Sequence, residues 1–62
     1  MDIYEYLSGQ LQNEIKAIGD DLMKGQAKDY ADYKFHAGIV WGMMKANGHV
    51  MDAKAMAERD DD

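Results

Sequence analysis

The sequence predicts an all-α fold, an antiparallel two-helix hairpin whose second helix is the longer. Three observations predict it. Apolar residues recur every three or four positions in two separate runs, the period of a helix face and not of a strand. A glycine, Gly25, stands between the runs. Proline is absent, so neither run contains the residue that most strongly interrupts a helix. The chain of 62 residues reads as one domain. Its expected parts are a helix over about 2–24, a turn over about 25–27, a helix over about 28–58 and an acidic tail over about 59–62.

The first helix opens at Asp2, with Glu5 three positions on. This is a capping-box-like start, in which the first carboxylate takes a free backbone N–H and the second reaches back. Tyr4, Leu7, Leu11, Ile15, Ile18 and Leu22 follow at steps of three and four and form the expected packing face. Glu5, Gln12, Asn13, Lys16, Asp20 and Lys24 occupy the other face. Gly9 and Gly19 lie inside the segment. Each costs about 1 kcal/mol against alanine, which shifts the load onto packing. Gly25 is expected just past the end, in the left-handed conformation that a glycine adopts without a Cβ clash. Lys24 suits the negative end of the helix dipole.

Gln26-Ala27-Lys28 is a short connection, of ordinary length for a helix–helix joint. The second helix is expected to start near Ala27 or Lys28, with Asp29 and Asp32 at its positive end. Tyr30, Tyr33, Ala37, Val40, Trp41 and Met44 form the expected inner stripe. Gly38 and Gly42 make a small-xxx-small step, read here as a place of close helix approach. Phe35, Ile39 and Met43 sit on a different face. A helix apolar on more than one side buries more than one side, and so short a chain has no second partner of its own. Phe35, Ile39 and Met43, with Trp41 beside the glycine step and Val50 and Met51 towards the C-terminal overhang, are therefore the expected partner-binding residues.

Asn47-Gly48 allows two readings. It can end the helix in a left-handed cap, with a third short helix after it, or the helix can run through it to about residue 58. The helical rhythm of Val50, Met51, Ala55 and Met56 favours a continuous or mildly kinked helix. Asp60-Asp61-Asp62 reads as a frayed acidic tail, since acidic groups are disfavoured at a helix C-terminus.

Composition narrows the function classes. A domain this small buries only about 60% of its unfolded surface and needs disulfides, a metal, very good packing or oligomerisation. Cysteine is absent, which removes disulfides and thiolate metal sites. The net charge of −5 argues against direct nucleic-acid binding, which needs a basic face, and against anionic membrane surfaces. The apolar stretch from Phe35 to Met44 holds a histidine and two glycines and is about half the length of a membrane span. The N-terminus lacks the basic-then-apolar layout of a signal peptide.

No catalytic, cofactor-binding or metal-binding constellation is expected. His36 and His49 are thirteen residues apart, not the four of a helical zinc pair. The aspartates lack the spacing of a calcium loop. Glycines are scattered rather than gathered in a phosphate loop, and the single serine, Ser8, has no nucleophile elbow around it. The rings of Tyr4, Tyr6, Tyr30 and Tyr33 are expected in the core with their hydroxyls at its edge. The six methionines suit adaptable packing.

The run from Gly25 to Lys34, Gly-Gln-Ala-Lys-Asp-Tyr-Ala-Asp-Tyr-Lys, followed by Gly38-Ile39-Val40-Trp41-Gly42, resembles a group of small proteins encoded by tailed bacteriophages. Tyr4 to Leu7 matches their opening segment, and Glu58 to Asp62 their acidic end. Asp32 stands where the group more often has glutamate, and Asn47-Gly48 interrupts what is usually a more strongly helical run. The resemblance implies a phage origin and a non-enzymatic place in the virion, docked on portal, neck or capsid proteins. It sets the expected location in the virion or host cytoplasm. Two alternatives stand beside it. The acidic balance fits a regulatory protein that inhibits a host protein, and the surplus apolar face fits self-association into a helical bundle.

Overall fold

The computed structural model describes residues 1–60, which form an all-α hairpin of α1 (Ile3–Met23) and α2 (Tyr30–Asp60). Asp2 starts α1. Its carboxylate accepts the Glu5 backbone N–H at 2.7 Å, so half of the expected capping box forms. The Glu5 carboxylate does not turn back to the cap but reaches across to α2, as described below.

The end of α1 follows from Gly25. Its φ of +77° is the one positive value among the described residues. The Gln26 N–H donates to the Asp21 carbonyl and the Gly25 N–H to the Leu22 carbonyl, both at 3.1 Å. These two bonds make a Schellman motif, which satisfies carbonyls the helix leaves free. A side chain at that φ costs about 1–2 kcal/mol. Gly25→Ala is therefore expected to lower Tm by about 4–8 °C for each kcal/mol lost in a domain this small. Thermal melts followed by circular dichroism at fixed protein concentration check it.

α2 begins at Tyr30, two or three residues later than the charge pattern suggested. Asp29 explains the delay. Its carboxylate accepts the Asp32 N–H at 2.8 Å, and the Asp32 carboxylate accepts the Lys28 N–H at 3.0 Å. The paired carboxylates hold Lys28 and Asp29 in the capping segment outside the helix.

From Tyr30 the helix is unbroken for 31 residues. Asn47 and Gly48 are helical, so no third helix forms. Asp60 is also helical, which corrects the expected tail; Asp61 and Asp62 lie outside the described residues.

Polar partners and a shared cleft fix the register. Glu5 meets Lys54 at one end, and Leu22 and His36 border one cleft at the other. That register sets Ser8 level with Val50, Leu11 with Asn47, Ile15 with Met43 and Ile18 with Val40. The seam of α1 is Tyr4, Ser8, Leu11, Ile15, Ile18 and Leu22, all buried or half-buried. The seam of α2 is His36, Val40, Met43, Asn47, Val50, Lys54 and Ala57, all half-buried. Both alternate steps of four and three, the narrow seam of two helices packed side by side.

This seam corrects the expected packing faces. Leu11, Ile15, Ile18, Leu22, Ala37 and Val40 lie towards the partner helix, as expected. Leu7 does not: it is 43% exposed, and Ser8, at 4%, takes its place. Tyr30, Tyr33 and Met44 are exposed rather than inner. Gly38 and Gly42 are exposed too, and a Cβ at either would meet nothing within 4 Å. Of the four tyrosines only Tyr4 is half-buried. The reason is that α2 carries two apolar stripes and α1 only one. One helix can cover only one of them, and it covers the stripe that brings Lys54 to Asp2 and Glu5.

The result is long and thin, 51 × 18 × 11 Å. Two helices lying side by side form a single layer, so both broad faces of the slab are open. No apolar side chain among the described residues is buried.

Candidate interaction face

The apolar stripe that α1 leaves uncovered runs along α2 through Tyr30, Tyr33, Trp41, Met44, Gly48, Met51 and Ala55, all exposed, with the half-buried Ala37 at its edge towards α1. At about 100° per residue it lies roughly a quarter to a third of a turn round α2 from the seam, and so opens on one broad face of the slab. Tyr30 is 74% exposed and Trp41 62%. Met44 is more than half exposed, and Tyr33 and Met51 somewhat less. The Tyr30 and Tyr33 rings stack at 6.5 Å between centroids. Lys34 lies 6.0 Å from the Tyr30 ring and Lys45 5.9 Å from the Trp41 ring, the outer reach of a cation–π contact.

The six residues expected to bind a partner divide between two places. Phe35, Trp41 and Met51 are exposed. Ile39, Met43 and Val50 are half-buried; Met43 and Val50 sit in the seam, and Ile39 borders the same cleft as Ile18 and Leu22. Phe35 faces away from the Trp41 stripe, its ring edge-on to His36 at 5.4 Å, and Met56 is exposed on that same side of the helix.

Polar residues close the two ends of the seam. At the open end the Lys54 ammonium donates to Glu5 at 2.6 Å and lies 3.8 Å from Asp2 and 3.9 Å from Glu58. This cluster was not foreseen; the signal was the four–three spacing that places Lys54 in line with Val50 and Ala57. The hydrogen bond to Glu5, aided by the three negative charges, holds Lys54 above the ordinary lysine value of 10.5, against the opposing effect of partial desolvation. A cation whose pKa rises on folding stabilises the fold fully below its unfolded value and loses that contribution as pH rises through the folded one. The Tm difference between the wild type and Lys54→Gln is therefore expected to stay constant from pH 7 to about 9 and to shrink above about 10.5. A difference that grows with alkalinity would contradict the cluster.

At the turn end, a cleft of about 340 Å³ has Ile18, Leu22 and Ile39 as apolar walls and Asp21, Asp32 and His36 as polar ones. His36 Nδ1 lies 2.9 Å from the Asp32 carbonyl and 3.3 Å from its carboxylate. His49 is exposed. Among the described residues no group of three or more His, Asp or Glu is placed to hold a metal ion, and no helix is long and apolar enough to cross a membrane.

Two seam positions carry polar groups that apolar counting passes over. The Ser8 hydroxyl accepts from the Gln12 amide at 2.9 Å. The Asn47 side-chain oxygen is buried without a hydrogen-bond partner. Comparison with protein-family models, curated proteins and solved structures finds no match for this chain.

Proposed function

We propose that this chain is a non-enzymatic structural protein of a tailed-phage particle, which docks on another polypeptide through the uncovered stripe of α2. One observation carries the docking part: a folded hairpin with no buried apolar side chain among its described residues displays Tyr30, Trp41, Met44 and Met51 in a line along one face. Scattered apolar residues on a surface are ordinary, but a continuous apolar line marks an interaction site. Aromatic residues and methionine are the types enriched at such interfaces. The phage setting rests on the likeness of the Gly25–Lys34 and Gly38–Gly42 runs to small phage proteins, and portal, neck or capsid proteins are the docking partners it suggests.

Quantitative mass spectrometry of purified particles tests the setting. The expected result is this chain at a fixed ratio to the portal or major capsid protein. Its absence from intact particles overturns the structural role. Hydrogen exchange on the chain diluted to the monomer tests the docking part, with weak protection expected throughout α1 and α2 until a covering partner is added.

A further inference from the structure

We propose that the cover for the α2 stripe is a second copy of this chain, the two α2 helices running antiparallel about a two-fold axis at Met44, with each Trp41 indole lying on Gly48 of the other copy. The inference rests on the reading that the exposed stripe needs a cover, and names the occupant.

The first argument is area. A compact protein of 7.0 kDa exposes about 4,000 Å². This chain exposes 4917 Å², about 900 Å² more by that scaling. One partner in a stable interface of standard size gives up about 800 Å². The excess is therefore enough for one such interface.

The second argument selects the occupant. In an antiparallel two-fold pair, a residue a given distance before the axis faces the residue the same distance after it. Around Met44 the stripe alternates large and small in the sense this requires. Tyr33 and Ala55 lie eleven positions to either side, and Ala37 and Met51 seven. Trp41 lies three before and Gly48 four after, one position from exact symmetry and so offset by about 1.5 Å along the helix. Tyr33 and Met51 thus each meet an alanine, and Trp41 lies within one position of a glycine, the large-on-small interdigitation that fills an interface without voids. An unrelated partner would impose no such symmetry about one residue.

The third observation is local. A Cβ at Gly48 would meet nothing within 4 Å, as at the other five glycines, so the isolated hairpin gives no packing reason for a glycine there; Gly48 is the one that lies on the stripe. A glycine inside a helix is unfavourable by about 1 kcal/mol, and a ring laid on its backbone supplies that reason. Two hairpins joined this way make a four-helix bundle with Trp41 and Met44 at its centre.

The test uses the whole chain. Sedimentation equilibrium is expected to give a dimer at micromolar concentration, and Trp41 emission to shift to shorter wavelength over the same concentration range. Gly48→Leu is expected to weaken association at least about tenfold through overpacking, although leucine is the better helix former. Gly42→Ala, exposed and off the stripe, is expected to leave association unchanged or strengthen it. With cysteine absent from the wild type, Met44→Cys is expected to give a disulfide-linked dimer on mild oxidation and Phe35→Cys is not. A Gly48→Leu chain that associates as well as wild type, or cross-linking through Phe35→Cys in preference to Met44→Cys, overturns the arrangement. A monomer with little helix also overturns it, but leaves the docking reading standing, with another polypeptide as the cover. A monomer that melts cooperatively, at a temperature independent of concentration, removes both.

Discussion

Ile15→Asp is expected to abolish the helical fold. Ile15 sits at the middle of the α1 seam, level with Met43, and half-buried. A carboxylate there enters an apolar stretch of the seam, whose own cation, Lys54, lies at the far end with Asp2, Glu5 and Glu58 around it. An uncompensated charge taken even partly out of water costs several kcal/mol, and a core in a domain this size rarely supplies more than about 3–5 kcal/mol. The far-UV circular dichroism of Ile15→Asp at 25 °C should therefore be largely that of an unfolded chain.

The comparison that gives this experiment its force is Leu7→Asp. Counting apolar residues places Leu7 in the packing face, whereas the structure leaves it 43% exposed and puts Ser8 in its place. Leu7→Asp should keep most of the helical signal. Equal collapse of the two variants would mean that the seam runs through Leu7.

The second large effect has the opposite sign. Asn47→Leu is expected to stabilise the hairpin by about 1–3 kcal/mol, the cost of a buried acceptor left without a donor. The Asn47 oxygen is such an acceptor, level with Leu11 in an otherwise apolar stretch of the seam. Tm should rise by about 4–8 °C per kcal/mol. Polar residues in a helical seam can also fix register. The variant is thus worth testing for a second change, cross-linking between positions that the wild type keeps apart. A Tm below wild type would show that the asparagine is satisfied in solution.

The sequence made the hairpin legible through Gly25, Asp2 and the two helical rhythms, because each is a local signal. The φ of +77° and the Asp2 cap were foreseen from residue type and place. The inward face of α2 was not. Hydrophobicity alone selects Tyr30, Tyr33, Trp41 and Met44, and the structure turns that stripe outward. The stripe turned inward contains His36, Asn47 and Lys54, which no count of apolar residues would choose. The strict four–three spacing from His36 to Ala57, and from Tyr4 to Leu22, was the stronger clue. Leu7 and Ser8 obscure it, being neighbours of which the more apolar faces outward. The late start of α2 was hidden for a different reason, since Asp29 and Asp32 suit either a first turn or a cap, and only their hydrogen bonds distinguish the two.

The unbroken helix through Asn47 and Gly48 has a chemical consequence. An asparagine followed by glycine is prone to cyclise: the glycine's backbone nitrogen attacks the side-chain amide, ammonia leaves, and the resulting ring hydrolyses to aspartate or isoaspartate. Helical geometry holds that nitrogen away from its target. Damage therefore accrues only while the molecule is open, and each event leaves a negative charge where two helices should close. Ageing of a sample, read as acidic variants on isoelectric focusing, becomes a clock that records the time the protein has spent unfolded.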